Sequence, residues 1–160
     1  MEATLESPLE LFTADIDNIA SLVFGTMLGL EIEADDRDWR PCDEHITAAV
    51  YFGGDWQGGL LVECGRAVAR GVTERLMNIP PDSQTNDDLL DAMGELANQL
   101  GGNMKSLMPR GVTLSIPAVV DGSDYSMRLC GGQRARRRSF RCHFGHFWIT
   151  IVEVAPRDRR

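Results

Sequence analysis

Two carboxylates and an amide recur at helical spacing in the stretch DAMGELANQLGGNMK, which covers residues 91–105. Asp91, Glu95 and Asn98 are separated by four and three places, so a helix would carry them within an arc of roughly 60°. Carboxylates accept hydrogen bonds and attract cations, whereas a carboxamide donates and accepts hydrogen bonds without carrying charge. The spacing therefore predicts a helix that presents two carboxylates and an amide to whatever approaches it.

Three glycines interrupt the same stretch, although an interior glycine costs a helix about 0.5–1 kcal/mol relative to alanine. Gly102 lies on the polar arc, and Gly94 and Gly101 lie beside it. A strip without side chains would let another backbone or a bulky group approach closely, so Gly102 is a candidate binding position. Two other interpretations stay open: Gly101 and Gly102 end the helix as a C-cap, or the polar residues are simply a solvated face.

The predicted helix also has an apolar side, which is expected to pack on a sheet. That side consists of Leu89, Met93, Leu96, Ala97, Leu100, Met104 and Leu107. Upstream, the pattern predicts a first helix that begins at Ser7-Pro8 and ends at Gly29, a strand beginning with LEIEA, a glycine-turn hairpin and a short helix stopped by Pro80. Downstream, strands are predicted in GVTLSIPAVVDG, SDYSMRLC, SFRCHF and HFWITIVEV.

This order of elements indicates an α+β fold with a mostly antiparallel sheet and helices packed on one face. The chain has 160 residues, of which 43% are hydrophobic, so we predict a single domain over residues 1–160 with a core of about 9–155 and a charged tail at 156–160. No stretch approaches the roughly 20 apolar residues of a membrane-spanning helix, and the acidic start does not resemble a secretory signal. We therefore expect a cytoplasmic protein that binds no membrane.

Positive charge is concentrated near the end of an otherwise acidic chain. The net charge is −8, yet residues 131–160 hold eight arginines against two acidic residues. We expect the Arg-rich segment 131–138, which overlaps the run RARRRSFR, to be a solvated loop. Nucleic-acid binding is not expected, because the remaining acidic surface would repel phosphate.

A weak internal repeat relates the first helix to the helix with the polar arc. Asp15 aligns with Glu95 and Asn18 aligns with Asn98, and the two apolar stripes roughly coincide. Because any two amphipathic helices share a period, this match allows a duplicated half-domain without establishing one.

Other constellations favour no alternative chemistry. Cys142, His143 and His146 cluster in CHFGH, but their spacing fits no common zinc template, and a turn with strand-borne histidines is the favoured interpretation. The four cysteines form no CxxC pair and are expected to be free thiols. The glycine-rich stretches fit neither a P-loop nor a dinucleotide fingerprint.

Taken whole, DAMGELANQLGGNMK resembles the D-x-x-x-E-x-x-N helix of the CheX/CheC/FliY group of chemotaxis phosphatases. WQGGLLVEC followed by AVARGVTERLM is similar to the strand and helix that precede this motif, and LSIPAVVDG is similar to the proline-bearing strand that follows it. The resemblance covers about residues 12–154. It implies that Asn98 is the catalytic amide, Glu95 the acidic residue that docks the partner, and Asp91 the acidic residue that opens the motif.

The resemblance further implies a phosphatase that hydrolyses the aspartyl phosphate of a CheY-like receiver domain. Asn98 would position the attacking water, because its amide oxygen accepts a hydrogen bond without adding negative charge, and Glu95 would pair with a receiver lysine. The protein would need no cofactor of its own, since Mg²⁺ would be supplied by the receiver. The rival interpretation is a non-catalytic module of the same fold that binds a receiver or a flagellar-switch partner.

The number of motifs bears on the kind of family member. Only one intact motif is present, because Asp15 replaces glutamate and no acid stands at Leu11. This pattern is similar to CheX, whose members pair as homodimers through their sheets. We expect the same here, with apolar late strands such as HFWITIVEV leaving an edge to be covered.

Overall fold

The computed structural model describes residues 8–36, 44–123, 125, 127 and 133–155. The α-helices in this part of the chain are α1 (Pro8–Val23), α2 (Arg66–Met77) and α3 (Asn86–Lys105). The strands are β1 (Glu33–Ala34), β2 (His45–Gly54), β3 (Gly58–Gly65), β4 (Val112–Leu114), β5 (Ala118–Gly122), β6 (Gln133–Cys142) and β7 (Gly145–Val154). A π-helical segment, Phe24–Leu28, extends α1, and Gly29 ends it in the left-handed conformation, as predicted.

The strands of the described chain join in one sheet whose neighbouring pairs are all antiparallel. Their order is β1-β6-β7-β3-β2-β4, and β5 pairs with β2 beside β4. The predicted hairpin is confirmed, since β2 and β3 pair from His45 opposite Gly65 to Phe52 opposite Gly58. The α+β fold with a mostly antiparallel sheet is therefore confirmed.

The three helices cover the same face of the sheet. Cys64 of β3 is aligned with Phe147 of β7, so their side chains share a face. On that face, Met93 of α3 places its sulfur 3.9 Å from Cys64 Sγ, and Phe24, just after α1, stacks on Phe147 with ring centroids 4.6 Å apart. α2 packs beside them, with Gly71 directly against the ring of Phe144.

The Arg-rich segment does not form the expected loop. Residues 133–138 belong to β6, which pairs with β7 along its full length, from Gln133 opposite Val154 to Cys142 opposite Gly145. The arginines alternate between the two faces of the sheet, so Arg138 reaches Asp17 on α1, whereas Arg137 lies over the ring of Trp148 at 4.2 Å. Partners on α1 and across the β6–β7 hairpin allow a strand where the sequence has no alternation of apolar residues.

Two further expectations about strands differ from the structure. The strand in LEIEA is limited to the two residues of β1. β7 lies between β3 and β6, so its apolar run HFWITIVEV is interior to the sheet and leaves no edge. The predicted strand in SDYSMRLC and the predicted tail at 156–160 lie outside the described residues, apart from Ser123 and the isolated positions Tyr125 and Met127.

Candidate functional site

Helix α3 begins with a capping box and continues through its glycine pair. The Thr85 hydroxyl oxygen accepts a hydrogen bond from the Asp88 amide at 3.2 Å, and the Asp88 carboxylate accepts one from the Thr85 amide at 2.8 Å. The helix runs to Lys105, so the interpretation of Gly101 and Gly102 as a C-cap is wrong.

The polar arc predicted from the sequence is an exposed face of α3. Asp91, Glu95 and Gly102 are exposed, and Asn98 is half-buried. The apolar side is buried over Leu89, Met93, Leu96, Ala97, Leu100 and Met104. Leu107 is an exception: it is 48% exposed, because the helix has already ended and the Leu107 amide bonds the Met104 carbonyl in a turn.

The glycines of α3 serve two different purposes. A Cβ on Gly101 would lie 2.6 Å from a methyl carbon of Val50, so this glycine lets the helix pack closely on β2. A Cβ on Gly94 would meet Val119 and Pro117 at 3.4 and 3.5 Å, which is ordinary van der Waals contact. Gly102 faces open space. Of the three, Gly102 is therefore the glycine that leaves the exposed face of α3 without a side chain, on the polar arc where the sequence places it.

Glu95 and Asn98 lie one helical turn apart, at a spacing that brings their β-carbons within about 6 Å. Glu95 Oε1 accepts a hydrogen bond from Gln99 Nε2 at 2.9 Å, which restrains the carboxylate along the helix. Among the described residues, no side-chain hydrogen bond of Asn98 is found. The Asn98 carboxamide is therefore available to a water molecule or an incoming partner, and the neighbouring carboxylate is available to a cation.

The pair predicted on the first helix forms no part of this face. Asp15 is half-buried and Asn18 is exposed, both on α1. Between them in the sequence, Asp17 accepts two hydrogen bonds from Arg138, at 3.0 and 2.6 Å. This pairing raises the pKa of Arg138 above its ordinary value. Asp17 thus binds β6 to α1 through Arg138.

The histidine and cysteine cluster does not form a metal site. No group of three or more His, Cys, Asp or Glu side chains that could hold a metal is found within the described ranges. Cys142 ends β6 and His146 lies in β7, where its Nδ1 is 2.9 Å from Asp35 Oδ2. Burial raises the pKa of the Cys142 thiol, which makes it a poor nucleophile. The interpretation as a turn between strands is confirmed.

The sequence pattern does not predict the exposure of Ile116. It predicts a strand through LSIPAVVDG, but Ile116 lies in the connection between β4 and β5 and is 87% exposed. The following Pro117 was the available signal, because proline lacks the amide hydrogen that a continuous strand would use. That residue marks where β4 and β5 are separate strands.

The chain belongs to the family of the chemotaxis phosphatase CheX, whose family model matches residues 46–141. No curated protein matches it significantly. This family membership confirms the resemblance carried by the motif helix and its flanking strands. None of the helices in the described part of the chain combines the length and the hydropathy that a membrane span requires.

Solved structures share the fold at low sequence identity. The chemotaxis protein CheX from Vibrio vulnificus aligns over 94% of this chain and 98% of its own, with a TM-score of 0.73 and 18% identity. A CheC-like superfamily protein from Shewanella sp. PV-4 gives 0.74 and 16% identity over 94% and 100% of the two chains. CheX in a CheX–CheY–BeF3–Mg²⁺ complex from Borrelia burgdorferi gives 0.71 and 15% identity over 90% and 98%.

Proposed function

We propose that this protein is a phosphatase that hydrolyses the aspartyl phosphate of a CheY-like receiver domain. The observation that carries the proposal is the exposed face of α3. There the Asn98 carboxamide, which has no side-chain hydrogen bond to a described residue, lies one turn from Glu95. Membership of the CheX family and the fold shared with a CheX found in complex with CheY support the choice of partner.

The proposed mechanism needs little chemistry from this chain. An aspartyl phosphate is a mixed anhydride, so hydrolysis needs a water held in line with the phosphorus. The Asn98 amide oxygen would accept a hydrogen bond from that water without bringing negative charge towards the phosphoryl group. The water oxygen bonds to phosphorus as the bond to the aspartate oxygen breaks. Inorganic phosphate leaves, and the receiver carboxylate is restored.

The other residues of the face would hold the partner. Glu95 would pair with a receiver lysine and so fix the register of α3 against the phosphorylation site. Asp91 would extend the acidic surface one turn earlier, and Gly102 would allow close approach one turn later. Mg²⁺ would be bound by the receiver and would neutralise charge on the phosphoryl group, so this chain would need no cofactor of its own.

Phosphate release from a phosphorylated receiver tests the proposal directly. Receivers from the same genome would be phosphorylated and mixed with the protein, and free phosphate would be followed with time. Faster release than from the receiver alone is expected for at least one of them. Binding of the phosphorylated receiver without faster release would favour the non-catalytic module instead.

A homodimer formed through the sheet stays a prediction from the family resemblance. The expectation that β7 leaves an edge for the second copy is wrong, because β7 pairs with β3 on one side and β6 on the other. In the described part of the sheet, β1 covers the outer edge of β6 only at Phe140 and Arg141, and the earlier residues of that edge pair with no described strand. Light scattering at micromolar concentration is expected to give twice the monomer mass. A monomer mass would contradict the prediction.

A further inference from the structure

Ile116 is the most exposed large hydrophobic side chain in the described part of the protein. It is 87% exposed, compared with 54% for Leu22, 48% for Leu107 and 37% for Val120. Single exposed apolar residues are ordinary on protein surfaces. The position and rigidity of Ile116 distinguish it from the others.

Hydrogen bonds of the preceding residue, Ser115, hold the Ile116 backbone. The Ser115 amide donates to the Tyr51 carbonyl at 2.8 Å, and the Tyr51 amide donates to Ser115 Oγ at 2.9 Å. The Ser115 hydroxyl in turn donates to the Ile116 carbonyl at 2.8 Å. β4 and β5, which flank the connection, both pair with β2. A side chain held in this way loses little backbone freedom when a partner covers it.

The connection that carries Ile116 borders the edge of α3 on which Asn98 lies. Leu114, before Ile116, is 3.2 Å from where a Cβ on Gly101 would stand. Pro117, after Ile116, is 3.5 Å from the corresponding position on Gly94. Asn98 is four places after Gly94 and three before Gly101, so it shares their side of the helix. Ile116 therefore lies in a connection that borders the edge of α3 carrying Asn98, and its side chain is outside the core.

We propose that Ile116 is an apolar anchor for the receiver domain whose phosphoryl group meets Asn98. This inference rests on the proposed function and deepens it. The exposed face of α3 offers Asp91, Glu95 and Asn98, which select charge and geometry but provide little apolar area. Interfaces of useful affinity usually contain a few rigid apolar anchors near the polar groups that fix orientation. Ile116 adds that component to the same surface.

The test compares Ile116→Ser with a matched control, Leu22→Ser, which removes an exposed apolar side chain from α1. The probe is the receiver that the wild-type protein dephosphorylates fastest, loaded with BeF3⁻ and Mg²⁺ for binding and phosphorylated for turnover. Burying an isoleucine side chain favours association enough to change Kd roughly tenfold. Ile116→Ser is therefore expected to raise Kd and KM about tenfold and to leave kcat within about twofold. Leu22→Ser should change none of them.

The outcomes separate this inference from the proposed function. If the wild-type protein hydrolyses the phosphoryl group and Ile116→Ser binds the receiver as tightly, the anchor is wrong and the function stands. A lower kcat with unchanged KM would also overturn the anchor, because Ile116 would then act on the chemical step. Loss of a dimer in light scattering with unchanged receiver affinity would assign Ile116 to a second copy of this chain. If the wild-type protein neither binds nor hydrolyses any receiver, both proposals fail together.

Discussion

Gly101 on α3 lies directly against Val50 on β2, close enough that a Cβ on the glycine would stand 2.6 Å from a Val50 methyl carbon. Both positions are buried. The contact fixes the distance between the helix and the sheet, and Asn98 projects from that helix one turn earlier. The position of the candidate amide therefore depends on a residue that has no side chain.

Gly101→Ala is expected to destabilise the protein by about 1–3 kcal/mol, because the new methyl group overpacks a buried contact. Gly102→Ala is the matched control on the neighbouring position, which faces open space. There the higher helix propensity of alanine should leave stability unchanged or raise it by up to about 1 kcal/mol. Urea denaturation of the two variants measures the difference. Equal effects at both positions would contradict the assigned packing role of Gly101.

A larger substitution tests the role of Gly102 in close approach. Gly102→Trp places a large side chain on the exposed face without entering the core, so it should fold normally and bind the BeF3⁻-activated receiver more weakly. Unchanged affinity would show that the partner does not cover this part of α3.

Glu95→Ala is expected to weaken both receiver binding and turnover, and Glu95→Lys should weaken them further by setting two positive charges against each other. Glu31→Lys makes the same charge change at an exposed position outside α3 and serves as the control. Kd measured by titration at low and high salt would report the effect. If Glu31→Lys reduces affinity as much as Glu95→Lys, overall charge and not a specific pairing explains the result.

Arg138→Ala is expected to lower the free energy of unfolding by about 0.5–1 kcal/mol, because it removes a two-point pairing with Asp17 that is still partly open to solvent. Arg136→Ala should have no such effect, since the Arg136 guanidinium bonds only the neighbouring Ala135 carbonyl among described residues. Urea denaturation distinguishes the two. A larger loss for Arg136→Ala would mean that the arginines of β6 are wrongly assigned.

The exposed face of α3 was predictable because its signal is local. Asp91, Glu95 and Asn98 repeat at the period of a helix, and the residues opposite them are apolar, so burial of one side dictates exposure of the other. The hairpin of β2 and β3 was predictable for a similar reason, since its glycine turn lies between two apolar runs. In each case neighbouring residues contain the needed information.

The strand at residues 134–138 was not predictable in this way. Its residues are mostly arginines, and the partner that holds Arg138 is Asp17 on α1, which is 121 residues away in the sequence. Ile116 was misassigned because its exposure depends on how Ser115 bonds to Tyr51, which is more than 60 residues away. Contacts between residues so far apart leave no periodic pattern in the neighbouring sequence.

The most direct test of the account is the rate at which Asn98→Ala hydrolyses a phosphorylated receiver. Asn98 is half-buried at the edge of the exposed face of α3, so the variant should fold normally. Circular dichroism would verify the fold. Hydrolysis should fall by on the order of 10²-fold or more while receiver affinity changes little, because the water-positioning amide is lost and the Glu95 charge remains. Hydrolysis at the wild-type rate would contradict the catalytic role of Asn98 and favour a binding module.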